Sequence, residues 1–464
     1  MAQLDRNKLD QMGVFVDQTG ARAVVHHRPD TPALALRELR YCLGDQVDFI
    51  PLEAEVQKAF EQQNRDTGDI ITELENYVSD ADFERAAEIA LGASSDTDAP
   101  VVKLFNNLLA VAISRSASDL HIDSSDRDLE IRMRFDGILV EYARLDLRIA
   151  PMLVSRIKLV SGMDITEKRK PQDGRFSVRH GGRGVDIRVA SMPVKSGERL
   201  ALRLFNRDAN QFNLTDTGLA DQHQQALTHA MSRQSGLILI CGPTGSGKTT
   251  TIYSMLNTLC GRGMNIMTIE DPVEVELNGI VQTQVNDAIG FGFAEGLRSI
   301  LRNDPDVVLV GEIRDESTAE IAVRAAMTGH LVISTVHANS PIGAIKRLIN
   351  LGIDRSLLAD CLLGVFTQRL VRTYCPDCGD HSARSPEHTT VLPAAFDGCD
   401  SCFHTGFSAR VPVMSHVLLD HTARQAVERD LSALEYDDSM ITEAQILHDQ
   451  GKTPLFEVNK LKSA

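Results

Sequence analysis

The chain has 464 residues, 43% of them apolar and 24% charged, ordinary globular usage that excludes a fibrous or mostly disordered protein. Length alone predicts about three domains. Lys and Arg total 48 against 64 Asp and Glu, a formal charge of −16, which argues against a general nucleic-acid binder held by bulk electrostatics.

The first residues, Met1 to Phe15, hold no basic segment followed by an apolar core, and no apolar run reaches the roughly 18 residues of a membrane span. A cytoplasmic chain is expected. Residues 1–100 carry 20 acidic and 9 basic side chains; helical periodicity runs over Leu34 to Leu43 and Phe83 to Leu91, and residues 1–93 read as an acidic adaptor domain. The small polar stretch before Pro100, residues 94–99, reads as a linker.

From Val101, the apolar residues Leu104, Phe105, Leu108, Leu109 and Ala112 recur at helical spacing. Leu129, Ile131, Met133 and Phe135 then alternate with Glu130, Arg132 and Arg134, a half-buried strand that Asp136-Gly137 turns into a hairpin. A second hairpin is expected from Arg175 through Gly181–Gly184 to Val189. Residues 100–207 thus read as an α+β domain, and its surface is basic, because residues 144–207 hold 15 Lys or Arg against 6 Asp or Glu. Something anionic should face it.

The apolar run Gly236 to Ile240 leads into Gly242-Pro243-Thr244-Gly245-Ser246-Gly247-Lys248-Thr249, a match to G-x-x-x-x-G-K-[ST] between a strand and a helix expected near Thr250. Glycines let backbone N–H groups cradle phosphates at a helix N-terminus; Lys248 would reach the β and γ phosphates of ATP and Thr249 would ligate Mg²⁺. Downstream, Thr268 to Glu274 places Glu270 after an apolar stretch. The run Val307 to Val310 delivers Glu312 at a strand end, and Leu331 to Val336 delivers His337. Carboxylates at such ends, beside a phosphate loop, hold metal or polarise water. Glu312 is therefore the expected general base or water-positioning residue.

Cys375-Pro-Asp-Cys378 and Cys399-Asp-Ser-Cys402 form two C-x-x-C pairs, 20 residues apart, with the spacing of a structural zinc site. Four thiolates leave no open position for substrate water, so this zinc would hold the fold.

From Ser116-Ala-Ser-Asp-Leu-His-Ile122 to the cysteines, over about residues 96–412, the chain resembles the bacterial ATPases of type II secretion and type IV pilus assembly. The pieces that carry the resemblance are Pro171-Gln-Asp-Gly-Arg175, Gly197-Glu-Arg199, the phosphate loop, Thr268 to Glu274, Leu297 to Asp315 and Thr328 to His337. The resemblance implies an α/β fold: a RecA-like P-loop ATPase core at 208–370, preceded by a PAS-like α+β domain, with a zinc module inserted at 371–412 and a C-terminal helical segment at 413–464. It implies that Arg175 and Arg188 reach the nucleotide, that Lys248, Glu270, Glu312 and His337 are catalytic, and that residues 242–250, through Thr250, hold the nucleotide. It further implies a homo-hexamer associated with the inner membrane through a platform protein and a membrane-anchored recruiting protein on the N-terminal domain, with anionic lipid as a stimulant. The cysteine module favours secretion or pilus assembly over pilus retraction, and the short acidic N-terminal region with the Asp96-Thr-Asp-Ala-Pro100 lead-in is more similar to the type II secretion ATPases than to the longer pilus assembly ones. The chain departs from the pattern at Ala338, Ser340, Ala409 and Ser415, the last standing where a glutamate is usual.

A nucleic-acid translocase would use the basic region as a strand channel, yet Phe176 and Phe205 are its only aromatics and the chain lacks Trp. No nucleic-acid partner is expected. A scaffold with a dead nucleotide site conflicts with the intact phosphate, metal and base positions.

Overall fold

The computed structural model describes residues 14–17, 23–27, 47–51, 100–180, 183–206, 212–378 and 398–463. The helices expected at 34–43 and 83–91 and the linker at 94–99 lie outside these. By compactness the chain divides into two units, residues 1–109 with 148–157, and residues 110–147 with 158–464. In the first, β1 (Val14–Asp17) pairs antiparallel with β2 (Ala23–His27), which pairs parallel with β3 (Val47–Pro51). Helix α1 (Pro100–Ser114) opens on a proline, whose missing N–H costs nothing at the first helical position, and Leu104, Leu108 and Ala112 are buried along it.

In the second unit β4 (Asp119–Ser124), β5 (Asp128–Phe135) and β6 (Ile138–Asp146) precede α2 (Ala150–Val160), which spans both units. Strands β7 (Gln172–His180), β8 (Arg183–Val194) and β9 (Gly197–Asn206) complete an antiparallel sheet of order β6-β5-β4-β9-β8-β7. Alternate residues of β5 are buried, as its sequence pattern predicts. Asp136 and Gly137 both take positive φ, 47° and 79°, the mirror-image turn that suits a tight hairpin.

The second sheet is built after α3 (Asp221–Ala230) from β10 (Gly236–Cys241), α4 (Lys248–Cys260), β11 (Ile266–Glu270), β12 (Val281–Gln284), α5 (Phe293–Ile300), β13 (Val307–Val310), α6 (Glu316–Met327), β14 (Leu331–Val336), α7 (Pro341–Asn350), α8 (Arg355–Cys361) and β15 (Leu362–Tyr374). Strand β16 (Phe407–Leu418) and helices α9 (His421–Arg429), α10 (Ser439–Asp449) and α11 (Leu455–Lys462) end it. The order is β12-β11-β13-β14-β10-β15-β16, parallel except for β16. Its central strands read as unbroken apolar runs because both faces are covered. Leu237 and Leu239 enter the core shared with α5 to α9, whereas Ile238 and Ile240 enter the one shared with α3 and α4.

Two expectations differ from the structure. The helix expected near Thr250 begins at Lys248, so Lys248 and Thr249 occupy its first turn. The segment expected to be helical from residue 413 begins as strand, since β16 runs to Leu418. Pro412 interrupts the β pattern in the sequence but is tolerated because β16 is the edge of its sheet. Among the described residues no helix is long and apolar enough to cross a membrane.

Candidate active site

Every residue of β10 is buried, and the chain leaves its C-terminal end in a loop that feeds directly into α4. Gly242, Gly245 and Gly247 take φ of 139°, 76° and 86°, a region that suits glycine. Crowding adds a second constraint. A methyl group at Gly242 would stand 2.4 Å from the Gln368 carbonyl oxygen and one at Gly247 2.7 Å from Gln368 Nε2, whereas at Gly245 nothing lies within 4 Å. The loop is pressed against β15 on one side and open on the other.

Lys248 Nζ donates to the Gly242 and Pro243 carbonyls, each at 2.9 Å. Burial holds its ammonium below the ordinary lysine pKa, with Cys241 and Glu312 opposing that shift. Ser246 Oγ is buried without a hydrogen-bond partner. An unengaged hydroxyl, an ammonium resting on its own loop and an open glycine fit an incoming polyphosphate. Thr249, the residue expected to ligate magnesium, lies in the first turn of α4, and Thr250 follows it.

Because β11, β13, β14 and β10 are parallel neighbours, Glu270 at the end of β11, Glu312 two residues past β13 and His337 one past β14 all reach the edge that carries the phosphate loop. Glu312 is nearly buried, its side chain 13% exposed; Oε1 pairs with Arg314, and Oε2 lies 3.5 Å from His337 Nε2 without a hydrogen bond. A buried carboxylate oxygen left unengaged is costly unless a ligand or water fills the gap. Glu270, the other expected catalytic carboxylate, is buried and hydrogen-bonded. Its oxygens accept from Tyr253 Oη, from Thr268 Oγ1 at 2.6 Å and from Gln282 Nε2 at 3.1 Å, so it ties β11 and β12 to α4.

Gln368 was not singled out by the sequence. Its Nε2 donates to the Ser246 carbonyl at 2.9 Å and its Oε1 accepts from Thr251 Oγ1 at 2.7 Å, fixing the loop to the sheet. The available signal was a polar residue inside an apolar strand, 2% exposed.

The basic region resolves into a row. Arg175 stands opposite Arg188, Arg188 opposite Arg203, Arg203 opposite Asp119 and Asp119 opposite Arg134 across β7, β8, β9, β4 and β5. Like charges in register repel, and carboxylates relieve them. Asp119 lies 3.0 Å from Arg203 Nε and 3.4 Å from Arg134 Nε. Arg188 lies 3.4 Å from Glu274, donates to the Val273 carbonyl at 2.8 Å and covers the Phe205 ring. Burial pushes the Glu274 carboxyl up, against the pull of Arg188. Arg175 and Arg188 border a cleft of roughly 790 Å³ with Val273 and Glu274. The phosphate loop borders a different cleft, roughly 660 Å³, whose arginines include Arg134, Arg203 and Arg369. Phe205 lines both.

At the tip of the β15–β16 hairpin the four cysteine sulfurs lie within 4.8 Å of one another. The Cys378 sulfur is 3.4 Å from that of Cys399 and 3.5 Å from that of Cys402, while Cys399 is 3.9 Å from both Cys375 and Cys402. A tetrahedron with metal–sulfur bonds of about 2.3 Å has edges of about 3.8 Å, so the cluster fits zinc.

The model of the family described as "Type II/IV secretion system protein" matches residues 94–459. The type II secretion system protein E of Dickeya dadantii is 44% identical over 442 residues, 92% of this chain and 88% of that one. The type IV pilus assembly ATPase PilB of Myxococcus xanthus is 35% identical over 446 residues, 92% of this chain and 79% of that one. In fold, the crystal structure of the Legionella pneumophila ATPase DotB superposes with a TM-score of 0.61 at 22% identity, covering 78% of this chain and 95% of that one. The loop shaped for phosphate, the acids at neighbouring strand ends and a match over most of the chain agree: this protein belongs to the type II/IV secretion system protein family and is one of its ATP-hydrolysing members.

Proposed function

We propose that this chain is the cytoplasmic ATPase motor of a type II secretion system, hydrolysing ATP to drive pseudopilus assembly and protein secretion. The observation that carries the reading is Glu312 Oε2, buried and unengaged beside a glycine-shaped phosphate loop with one strand between; the identity to a type II secretion protein E supports the choice of machine. In this reading residues 242–250 hold the nucleotide, and Lys248 exchanges the Gly242 and Pro243 carbonyls for the β and γ phosphates. Glu312 takes a proton from water as its oxygen attacks the γ-phosphorus and ADP leaves; His337 steadies that carboxylate. Magnesium at the Thr249 hydroxyl would supply charge neutralisation on the phosphates. Arg175 and Arg188 stabilise the developing charge once Arg188 is released from Glu274. The four cysteines hold zinc, and residues 1–93 are the adaptor domain.

The motor acts as a homo-hexamer on the cytoplasmic face of the inner membrane, where it engages a platform protein and, through its N-terminal domain, a membrane-anchored recruiting protein. The kinship to a pilus assembly ATPase favours, as the second reading, pilus extension. Magnesium-dependent ATP hydrolysis, followed against protein concentration with anionic vesicles or single-stranded DNA added separately, tests the proposal. Specific activity that rises with concentration and with vesicles is expected. Stimulation by DNA alone would overturn it in favour of a translocase.

A further inference from the structure

Toward the end of the β15–β16 pair remote from the cysteines, two histidines meet. His223 in the first turn of α3 and His416 in β16 bring their Nδ1 atoms 3.1 Å apart, and Asp437 Oδ2 lies 3.4 Å from His416 Nδ1. One atom from each residue lies within 4.8 Å of the others. We propose that His223, His416 and Asp437 form a second metal site, separate from the four cysteines, which takes a borderline divalent cation such as zinc through two imidazole nitrogens and one carboxylate oxygen.

The spacing suits that cation, because ligands at about 2.05 Å in a tetrahedral shell stand about 3.3 Å apart. A neutral imidazole pair with one carboxylate is also a ligand set that zinc favours. The outer shell is built as metal-binding histidines require. His223 Nε2, the ring atom turned away from His416, lies 2.6 Å from Glu443 Oε1, and the other oxygen of Glu443 accepts from the Met414 N–H at 3.2 Å. A carboxylate on the remote nitrogen fixes the tautomer that leaves Nδ1 free to ligate.

The positions are also rigid. His223 is fully buried. The backbones of His416 and Asp437 exchange hydrogen bonds of 2.9 and 2.8 Å, and the His416 ring stacks on Phe366. A cleft of roughly 470 Å³ lined by His416 and Asp437 opens beside the cluster, giving a cation its route and a water its place in the fourth position. Asp437 and Glu443 bring two carboxylates to the histidine pair, and a divalent ion balances their charge. His416 follows Ser415, one of the positions where the chain leaves the pattern of the ATPases it resembles.

Metal counting on the full-length chain tests this. The protein is stripped with chelator, titrated with cobalt(II) under reducing, oxygen-free conditions, desalted and assayed for bound metal. Two equivalents are expected, only one of them producing a thiolate charge-transfer band. His416→Leu and Asp437→Asn should lose the second equivalent, or bind it about 10- to 100-fold more weakly, and Glu443→Gln should weaken it about tenfold. The charge-transfer band, unchanged in all three, reports that each variant is folded. A single equivalent in the native chain, or two tightly held in the native chain and in both ligand variants, overturns the proposal.

Discussion

The phosphate loop and the arginine row line two clefts that share Phe205 but stand in opposite states. Around the loop, Ser246 Oγ and Glu312 Oε2 are buried and unengaged, and the glycine backbone is already bent to its task. Along the row, Asp119 holds Arg203 and Arg134, while Glu274 holds Arg188. One region is prepared and waiting. The other is occupied, and in the proposed function it must let go of a partner before it meets a phosphate. Preorganised groups cost no rearrangement at the moment of reaction, so in that reading turnover is controlled where pairs must break.

The sharpest test of the prepared side is Glu312→Gln, which keeps the shape and removes the base. Phosphate release should fall roughly 10⁴-fold with fluorescent-nucleotide binding unchanged; loss of binding would make Glu312 a structural support for the loop instead. On the occupied side, Arg188→Ala should lower turnover roughly 10³-fold while sparing nucleotide affinity. Equal turnover in that variant would leave the row a surface feature.

Gln368→Leu probes what shapes the loop. The buried partners it leaves unpaired should cost about 1–3 kcal/mol, seen as a lower melting temperature and a KM for ATP raised about tenfold. An unchanged KM would mean that the glycines alone set the loop.

The smallest effect concerns Asp119. Burial works against its charge, but hydrogen bonds from Arg203 and Ser118 win and hold its carboxyl below the ordinary aspartate range. A depressed folded pKa contributes stability above the unfolded value near 3.9, and that contribution is lost as pH falls through the folded value. The unfolding free energy of Asp119→Asn, measured in urea, should therefore trail the native one by about 1 kcal/mol at pH 7, solvent screening of the exposed arginines included, and the gap should close in acid as pH falls below the ordinary aspartate range. A gap that persists in acid would assign the loss to packing.

What the sequence revealed and what it hid follow from distance along the chain. The phosphate loop is contiguous, so backbone demands write themselves as glycines, and Glu312 and His337 each end an apolar run that marks a buried strand. The cysteines announce themselves by spacing. The arginine row depends on strand register, which pairs Arg188 with residues 13 before and 15 after it only once β7, β8 and β9 are aligned. Gln368 reaches a loop 122 residues away, and His223 meets a side chain 193 residues distant. Glu270 was legible as an acid at a strand end, but its partners Tyr253, Thr268 and Gln282 come from three elements and show only in the fold.

Strand β15 carries Gln368, the clamp on the phosphate loop, and runs to Tyr374, the residue before Cys375. Six residues of strand lie between the clamp and the first cysteine, seven steps spanning about 23 Å at 3.3 Å per residue, with an irregularity of register at Thr373–Tyr374. The cysteine tip and the loop that Gln368 holds at Ser246 are therefore tied to one strand, so a change at either has a short covalent path to the other.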